Sequence, residues 1–174
     1  MRRIKAPFAK KTAGNLRAGD RLALSGRLVT VRDASLQKIF RTKRRDSLAI
    51  FAGQVVFFAG PAPAPPGRIS GSIGPTTTAR MGRFIPGLVR AGARALVGKG
   101  DLLPETREVL VENGVPYLVA VGGAAALLAK AVTASRVIAF PELGTEAVRE
   151  IAVRSFPLIV ALDSRGDCLF DRFR

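Results

Sequence analysis

The sequence predicts an α/β fold, and two observations carry this prediction. Short apolar runs of strand length alternate with segments of helical periodicity from Phe58 onward. The chain has 174 residues, 48% of them hydrophobic, which is enough to bury one full core. We therefore expect one domain over residues 1–174, in which residues 1–20 form a basic lead segment.

The first elements are a strand, a helix and a second strand. Residues 21–32 alternate apolar and polar side chains with β-branched residues, which indicates a strand. Asp33 can cap the helix that follows, and residues 54–59 predict a short buried strand. The proline-rich segment 60–67 is excluded from helix and central strand, and suits a domain linker or a stiff loop. The short segments on either side favour the loop.

The remaining elements alternate between helix and strand. Pro86 lies inside the first of these helices. A turn signal over 163–167 joins the last two strands as a hairpin. The predicted helices are 77–93, 104–113, 122–130 and 145–150, and the predicted strands are 94–97, 116–121, 136–140, 156–162 and 168–170.

The octapeptide 74–81 places a tight backbone, three hydroxyls and a cation where a loop opens into a helix. Pro75 suits a first turn, the threonines can cap backbone N–H groups, and Arg80 adds its charge to the helix dipole. This pattern is typical of an ordinary capped helix start. It also suits a pocket for a carboxylate.

Three cationic features follow predicted strands. They are Arg32, the octapeptide with Arg80, and Lys99 between Gly98 and Gly100. Ligands of open α/β sheets bind at the carboxyl ends of the strands. Two guanidinium groups and an ammonium suit a small dicarboxylate. Each cation alone is more often a surface charge, so the hypothesis depends on their shared position.

The composition narrows the chemistry. The chain has no histidine and one cysteine, Cys168, so an intramolecular disulfide and a cluster held by this chain alone are excluded. We expect no metal ligands in it. Cys168 lies in a predicted strand and is interpreted as a packed thiol rather than a nucleophile. Acid–base chemistry must use Thr, Lys, Asp, Glu or Tyr, or groups of a partner.

Positive charge is concentrated near the start of the chain. Residues 1–45 hold 14 lysines and arginines against Asp20 and Asp33, and so carry 12 of the net 15 positive charges. Such a segment suits nucleic acid, the steering of small dianions, an acidic subunit, or a solubilising surface. The densest run, 41–45, lacks the interleaved aromatic residues of a single-strand RNA platform.

No sequence feature predicts a membrane segment. Apolar runs fall short of a bilayer span, and the basic first residues are not followed by an apolar signal core. We expect a cytoplasmic protein.

A series of motifs resembles one enzyme family along nearly the whole chain, in the family's order and with similar spacing. The chain resembles the beta subunit, or C-terminal catalytic region, of the class I iron–sulfur hydro-lyases, which include fumarate hydratase and L-tartrate dehydratase. The motifs are 16–20 (LRAGD), 30–34 (TVRDA), 58–61 (FAGP), 74–77 (GPTT), 80–81 (RM), 98–100 (GKG), 120–125 (AVGGAA), 142–144 (ELG) and 156–157 (FP).

This resemblance implies a swivelling β/β/α domain and a divided enzyme. A 4Fe–4S cluster would be held by three cysteines of a separate alpha subunit, with two copies of each subunit in the assembly. The reaction would be reversible addition of water to a dicarboxylate, with fumarate and malate favoured and tartrate or a similar diacid as the alternative. The cluster would act as Lewis acid.

The resemblance also implies roles for single residues. Arg32, Arg80 and Lys99 match family positions that contact substrate carboxylates, and Thr76 matches the proposed base at carbon. Because threonine is a weak base, we expect an acidic residue of the alpha subunit to take its proton onward. Residues that would shape the loops are Gly74, Pro75, Thr77, Gly98 and Gly100.

Two positions depart from the family pattern. Leu36 stands where the family commonly has histidine, and Gly82 where it commonly has an acidic residue. These departures leave open the identity of the diacid. Together with the basic first quarter, Leu36 motivates a rival hypothesis, a catalytically silent paralogue that serves as a nucleic-acid-binding or assembly module.

Overall fold

A computed structural model describes residues 1–42 and 48–173 of the chain. The α-helices are α1 Lys10–Gly14, α2 Asp33–Thr42, α3 Ile85–Arg90, α4 Pro104–Glu112 and α5 Ala125–Lys130. The strands are β1 Arg2–Ala6, β2 Arg21–Val31, β3 Val55–Phe58, β4 Ala95–Gly98, β5 Tyr117–Val119, β6 Val132–Ala139 and β7 Val148–Leu162. Three 3₁₀ segments of the described residues span Thr78–Phe84, Pro141–Glu146 and Leu169–Phe173.

The strands form one sheet that closes on itself. β2, β3, β4 and β5 are parallel neighbours in that order. β7 runs antiparallel to β5 and also to β2, and this double pairing closes a small barrel. β1 extends the sheet beside β2, and β6 extends it beside β7. The predicted α/β class is confirmed.

Strand alternation divides the apolar residues between two cores. One core draws residues such as Leu24, Phe57 and Val97 from all five barrel strands, and therefore fills the barrel. The other lies on the opposite faces of the strands, where Phe58 and Leu96 pack beneath α2, α3 and α4. The structure thus has the layered burial expected of helices packed on a mixed sheet.

Most predicted elements are present, with shifted ends. The strand predicted at 21–32, the helix after Asp33 and the strand at 54–59 correspond to β2, α2 and β3. The helix predicted at 77–93 is divided into the 3₁₀ segment Thr78–Phe84 and α3. Pro86 explains the division, because it lacks an N–H group and is tolerated in the first turn of a new helix.

Two predicted elements are wrong. Residues predicted as helix at 145–150 belong instead to the end of a 3₁₀ segment and the beginning of β7. The strand predicted at 168–170 is a single bridge between Cys168 and Leu162 followed by a 3₁₀ turn. In addition, the lead segment 1–20 is not merely polar, since it contains β1 and α1.

Other expectations find a direct answer. The Cys168 side chain is buried, with 7% of its surface exposed, as a packed thiol should be. The proline-rich segment 60–67 lies outside helix and strand. Residues 43–45 of the basic run lie outside the described residues. Among the residues described, no helix is long and apolar enough to cross a membrane.

Candidate functional site

The site residues predicted from the sequence gather at one edge of the barrel. The register pairs Val31 at the end of β2 with Phe58 at the end of β3, and Phe57 with Val97 of β4. Arg32 and Lys99 each follow directly after these strands. The parallel strands therefore bring both cations to the same edge.

The loop 74–78 is fixed between the ends of β3 and β4 by backbone hydrogen bonds. The Thr76 N–H donates to the Phe58 carbonyl at 2.7 Å, and the Lys99 N–H donates to the Thr76 carbonyl at 3.2 Å. Thr78 in turn donates its N–H to the Lys99 carbonyl at 3.0 Å. Pro75 forms a bridge with Ala59. This ladder places half-buried Thr76 and exposed Lys99 next to each other.

The expected threonine cap is wrong. The helix after the loop begins as a 3₁₀ segment, and its flanking residue Thr77 makes no side-chain cap bond there. The Thr78 hydroxyl lies 2.8 Å from the Tyr117 hydroxyl instead. The octapeptide is therefore held by sheet-like bonds and by a buried hydroxyl pair rather than by helix capping.

The buried hydroxyl of Tyr117 connects the loop of Thr78 with the loop of Gly100. This hydroxyl donates to the Gly100 carbonyl at 2.9 Å, so the hydroxyl of Thr78 must be the donor to Tyr117. Burial is the main cause that raises the pKa of Tyr117 well above its ordinary range. A Cβ on Gly98 would lie 1.9 Å from the Thr78 hydroxyl oxygen, so only glycine fits there.

Arg32 is held by two carboxylates. Its guanidinium lies 3.5 Å from Glu146 and 3.7 Å from Asp33, and the side chain is 27% exposed. Glu146 also accepts the Ala34 N–H at 2.7 Å, which ties the segment Pro141–Glu146 to the start of α2. A Cβ on Gly60 would lie 2.9 Å from the Arg32 side chain, so glycine makes room for it.

Arg80 reaches the same carboxylate from the other side. It donates to Asp33 at 3.0 Å, and its side chain is 56% exposed. Arg32 and Arg80 thus converge on Asp33, as two cations of one anion site should. The sequence reasoning missed Asp33 and Glu146 as site residues, and it missed Tyr117 as the support of the loops that carry Thr78 and Gly100. A lone tyrosine inside a predicted buried strand was a usable signal, because a buried hydroxyl requires a partner.

The two departures from the family pattern have different surroundings. Leu36 is fully buried and belongs to the core beneath α2. Gly82 is half-buried, and a Cβ there would lie 3.3 Å from the Thr106 hydroxyl. Leu36 therefore contributes packing, and its side chain does not line the edge where Arg32 and Lys99 emerge.

The described residues do not fit a metal or an iron–sulfur cluster. Across residues 1–42 and 48–173, no group of three or more His, Cys, Asp or Glu side chains is arranged to hold a metal ion. The single thiol, Cys168, is packed in the helix-side core. A cluster at this edge would need ligands from outside this chain.

Comparison with known proteins gives a consistent result. The family model described as "Fumarase C-terminus" matches residues 3–173. A protein of Methanocaldococcus jannaschii named "Putative L(+)-tartrate dehydratase subunit beta" is 38% identical over 94% of this chain and 88% of its own length. Two longer relatives are similar over the same region. The aerobic class I fumarate hydratase of Salmonella typhimurium is 32% identical over 88% of this chain and 27% of its own length, and fumarate hydratase 2 of Leishmania major is 33% identical over 88% and 28%. The chain therefore spans less than a third of the fumarate hydratases that it matches.

Proposed function

The chain belongs to the Fumarase C-terminus family, and on that basis we propose that it is the beta part of a hydro-lyase for a small dicarboxylate. Fumarate and malate are the favoured pair, and tartrate or a similar diacid is the alternative. The relatives named as fumarate hydratases and as a tartrate dehydratase beta subunit support this reaction class.

One observation supports a specific substrate site in this chain. Arg32 and Arg80 approach the same carboxylate, Asp33, at 3.7 and 3.0 Å. Their geometry therefore already suits a carboxylate between two guanidinium groups. Lys99, which follows β4 two strands along the sheet from β2, supplies a further cation for the second carboxylate of a diacid. Together they provide charge complementarity for a dianion.

Thr76 is the proton acceptor in this proposal. Its backbone is hydrogen-bonded to Phe58 and to Lys99, so the residue has a defined place next to Lys99. A threonine hydroxyl takes a proton from carbon only if it can pass its own proton on. We assign that step to an acidic residue of a partner subunit. Gly74, Pro75, Thr77, Gly98 and Gly100 shape the two loops.

The iron–sulfur cluster is assigned to a separate alpha subunit. A cluster bound there would supply a Lewis acid for the substrate hydroxyl. The described residues of this chain do not themselves fit a cluster. An assembly of two alpha and two beta subunits, and a swivelling β/β/α domain over residues 1–174, complete the proposal. The closed barrel with helices on its outer face is compatible with that domain type.

The test is reconstitution of this chain with the three-cysteine alpha subunit that the proposal requires. The pair, with an intact cluster, should convert fumarate, malate, tartrate or a related diacid, followed by substrate absorbance or NMR. An intact pair that leaves all of these diacids unchanged would refute the proposed function.

The same pair tests the site through Arg80→Ala. We expect kcat/KM to fall on the order of a hundredfold, because a charged hydrogen bond to the substrate is lost. The side chain is largely exposed, so the thermal midpoint should remain close to that of the parent. Arg90→Ala, at the exposed end of α3, is the matched control and should retain the parent's kinetics. Equal kinetics for all three proteins would contradict the assignment of Arg80.

A further inference from the structure

The carboxylates of Glu146 and Asp33 pair with the arginines proposed to bind substrate. The two carboxylates are anchored differently. Glu146 is held at both oxygens, with one near Arg32 and the other accepting the Ala34 N–H at 2.7 Å. Asp33 has one such anchor, the 3.0 Å bond from Arg80. Its other oxygen is buried without a hydrogen-bond partner, and Arg32 lies 3.7 Å from it.

The two arginines also differ in freedom. Arg32 is enclosed by Gly60 and Glu146, and its Nε is buried without a hydrogen-bond partner. Arg80 has 56% of its side chain exposed and bonds only to Asp33 among the described residues. The Asp33–Arg80 bond can therefore open into solvent without disturbing the packed side of the site, whereas the Arg32–Glu146 contact belongs to the fold.

The charges make such an opening necessary. A dicarboxylate that entered while Asp33 remained between the arginines would meet a like charge at the point of binding. An exposed ion pair contributes little net free energy, since water solvates both partners once it opens. Exchange of one carboxylate for another at the same guanidinium groups conserves their pairing and removes that repulsion.

We propose that Asp33 is an internal stand-in for a substrate carboxylate: it holds Arg32 and Arg80 together in the free chain and is displaced when the diacid binds. Asp33 is thus a positioning residue that sets diacid affinity by competition, and Glu146 is the permanent counterion. This inference rests on the proposed function for its ligand class.

Succinate, an unreactive dicarboxylate, is the probe, and its dissociation constant for the full chain is measured by NMR titration. Asp33→Asn removes the competing charge at nearly constant shape. We expect it to tighten succinate binding about fivefold, the factor that corresponds to the upper range of an exposed ion pair. In the parent chain, succinate should also shift the Asp33 carboxyl carbon and the Arg80 side-chain signals together.

Asp20→Asn is the matched control. It removes the same charge at the amino end of β2, far from the site, where Asp20 pairs with Arg2. Its succinate affinity should equal that of the parent. Asp33→Ser keeps an oxygen at the helix start and should behave like Asp33→Asn, which separates the loss of charge from a folding defect.

The outcomes are distinct from those of the turnover test. Tighter binding by both Asp33 variants, or binding by them where the parent shows none, supports displacement. The proposed displacement is overturned if both Asp33 variants bind succinate as weakly as the parent or more weakly. It is also overturned if the Asp33 carboxyl signal does not shift when succinate binds, or if no variant binds succinate. The hydro-lyase activity of the reconstituted pair is a separate result, which the succinate titration neither supports nor refutes.

Discussion

Tyr117 is the residue on which both loops of the site depend. Its hydroxyl receives a hydrogen bond from Thr78 and donates one to Gly100, so one buried atom connects the Thr76 loop with the Lys99 loop. Such a pair is costly to break, because a buried hydroxyl left without a partner loses about 1–3 kcal/mol. The position of Lys99 relative to Thr76 is therefore fixed by the Tyr117 hydroxyl as well as by backbone hydrogen bonds.

This burial predicts a distinctive alkaline titration. Desolvation raises the pKa of Tyr117 above its ordinary value of about 10, so the folded chain keeps the proton that the unfolded chain releases. The stabilisation is fully present below about pH 10 and is lost as the pH rises further. Because the chain has one tyrosine and no tryptophan, tyrosinate absorbance reports this residue alone. The folded chain should titrate at higher pH than the chain unfolded in urea.

Tyr117→Phe supplies the comparison. It should lower the free energy of unfolding by about 1–3 kcal/mol at neutral pH, because Thr78 loses its partner. It should also lack the component of alkaline destabilisation assigned to Tyr117. Coincident tyrosinate titrations of the folded and unfolded parent would refute the assigned burial.

At the scale of elements, the end of β4 can pack against the Thr78 loop only because Gly98 has no side chain. Gly98→Ala would place a Cβ 1.9 Å from the Thr78 hydroxyl, and we expect this overpacking to cost about 1–3 kcal/mol. Thr78→Ala removes the obstructing atom. The double variant should therefore be more stable than the sum of the two single losses, by about 0.5–3 kcal/mol in denaturant unfolding.

Gly122→Ala is the control for that cycle, since a Cβ at Gly122 meets no neighbour within 4 Å. Its stability should remain within about 0.5 kcal/mol of the parent. Strict additivity of Gly98→Ala and Thr78→Ala would show that the two residues do not contact each other.

The elements also show what the sequence can and cannot predict. Strands β2, β3 and β4 were predictable because each reads as a short run of buried or alternating residues. The beginning of β7 was not, because Arg149 to Ile151 become a strand through pairing with β2 on one side and β6 on the other. β2 lies far away in sequence, so tertiary contacts override the local helical signal.

The candidate site shows the same division. The order of strands in a parallel sheet brings together whatever follows them, so Arg32, Thr76 and Lys99 could be grouped from sequence. Asp33 and Glu146 could not, because charged side chains at the ends of helical segments carry no mark of the partner that they will meet. Glu146 reaches Arg32 through the Pro141–Glu146 segment, whose position depends on the bare backbone of Gly60 beneath Thr145.

At the scale of the whole molecule, part of the basic surface lies away from the site. Arg3, Lys5 and Arg21 are exposed at the amino end of β2 and its neighbour β1. Along β2, Arg21 lies about 35 Å from Arg32, and Lys5, which pairs with Ser25, lies about 23 Å from it; both distances are well beyond the screening length at physiological salt. These charges therefore contribute little to holding a diacid.

Charge reversal checks this separation. The triple variant Arg3→Glu, Lys5→Glu, Arg21→Glu should bind succinate within about twofold of the parent at physiological ionic strength. A large loss of affinity would show that the basic end acts on the site after all. Salt-sensitive retention of labelled RNA by the parent, lost in this variant, would favour the nucleic-acid hypothesis for that end.

The double pairing of β7 has a consequence for how the protein is made. The barrel closes only when β7 reaches β2, and the Ala18 N–H reaches its acceptor Asp163 across 145 positions of chain. During synthesis, β2 leaves the ribosome well before β7, so the edge of β2 stays unpaired until β7 is translated. Contacts between such distant segments form slowly, and a waiting strand edge attracts other chains. Residues 148–162 complete the barrel, so truncation before β7 should yield aggregates rather than a smaller working domain.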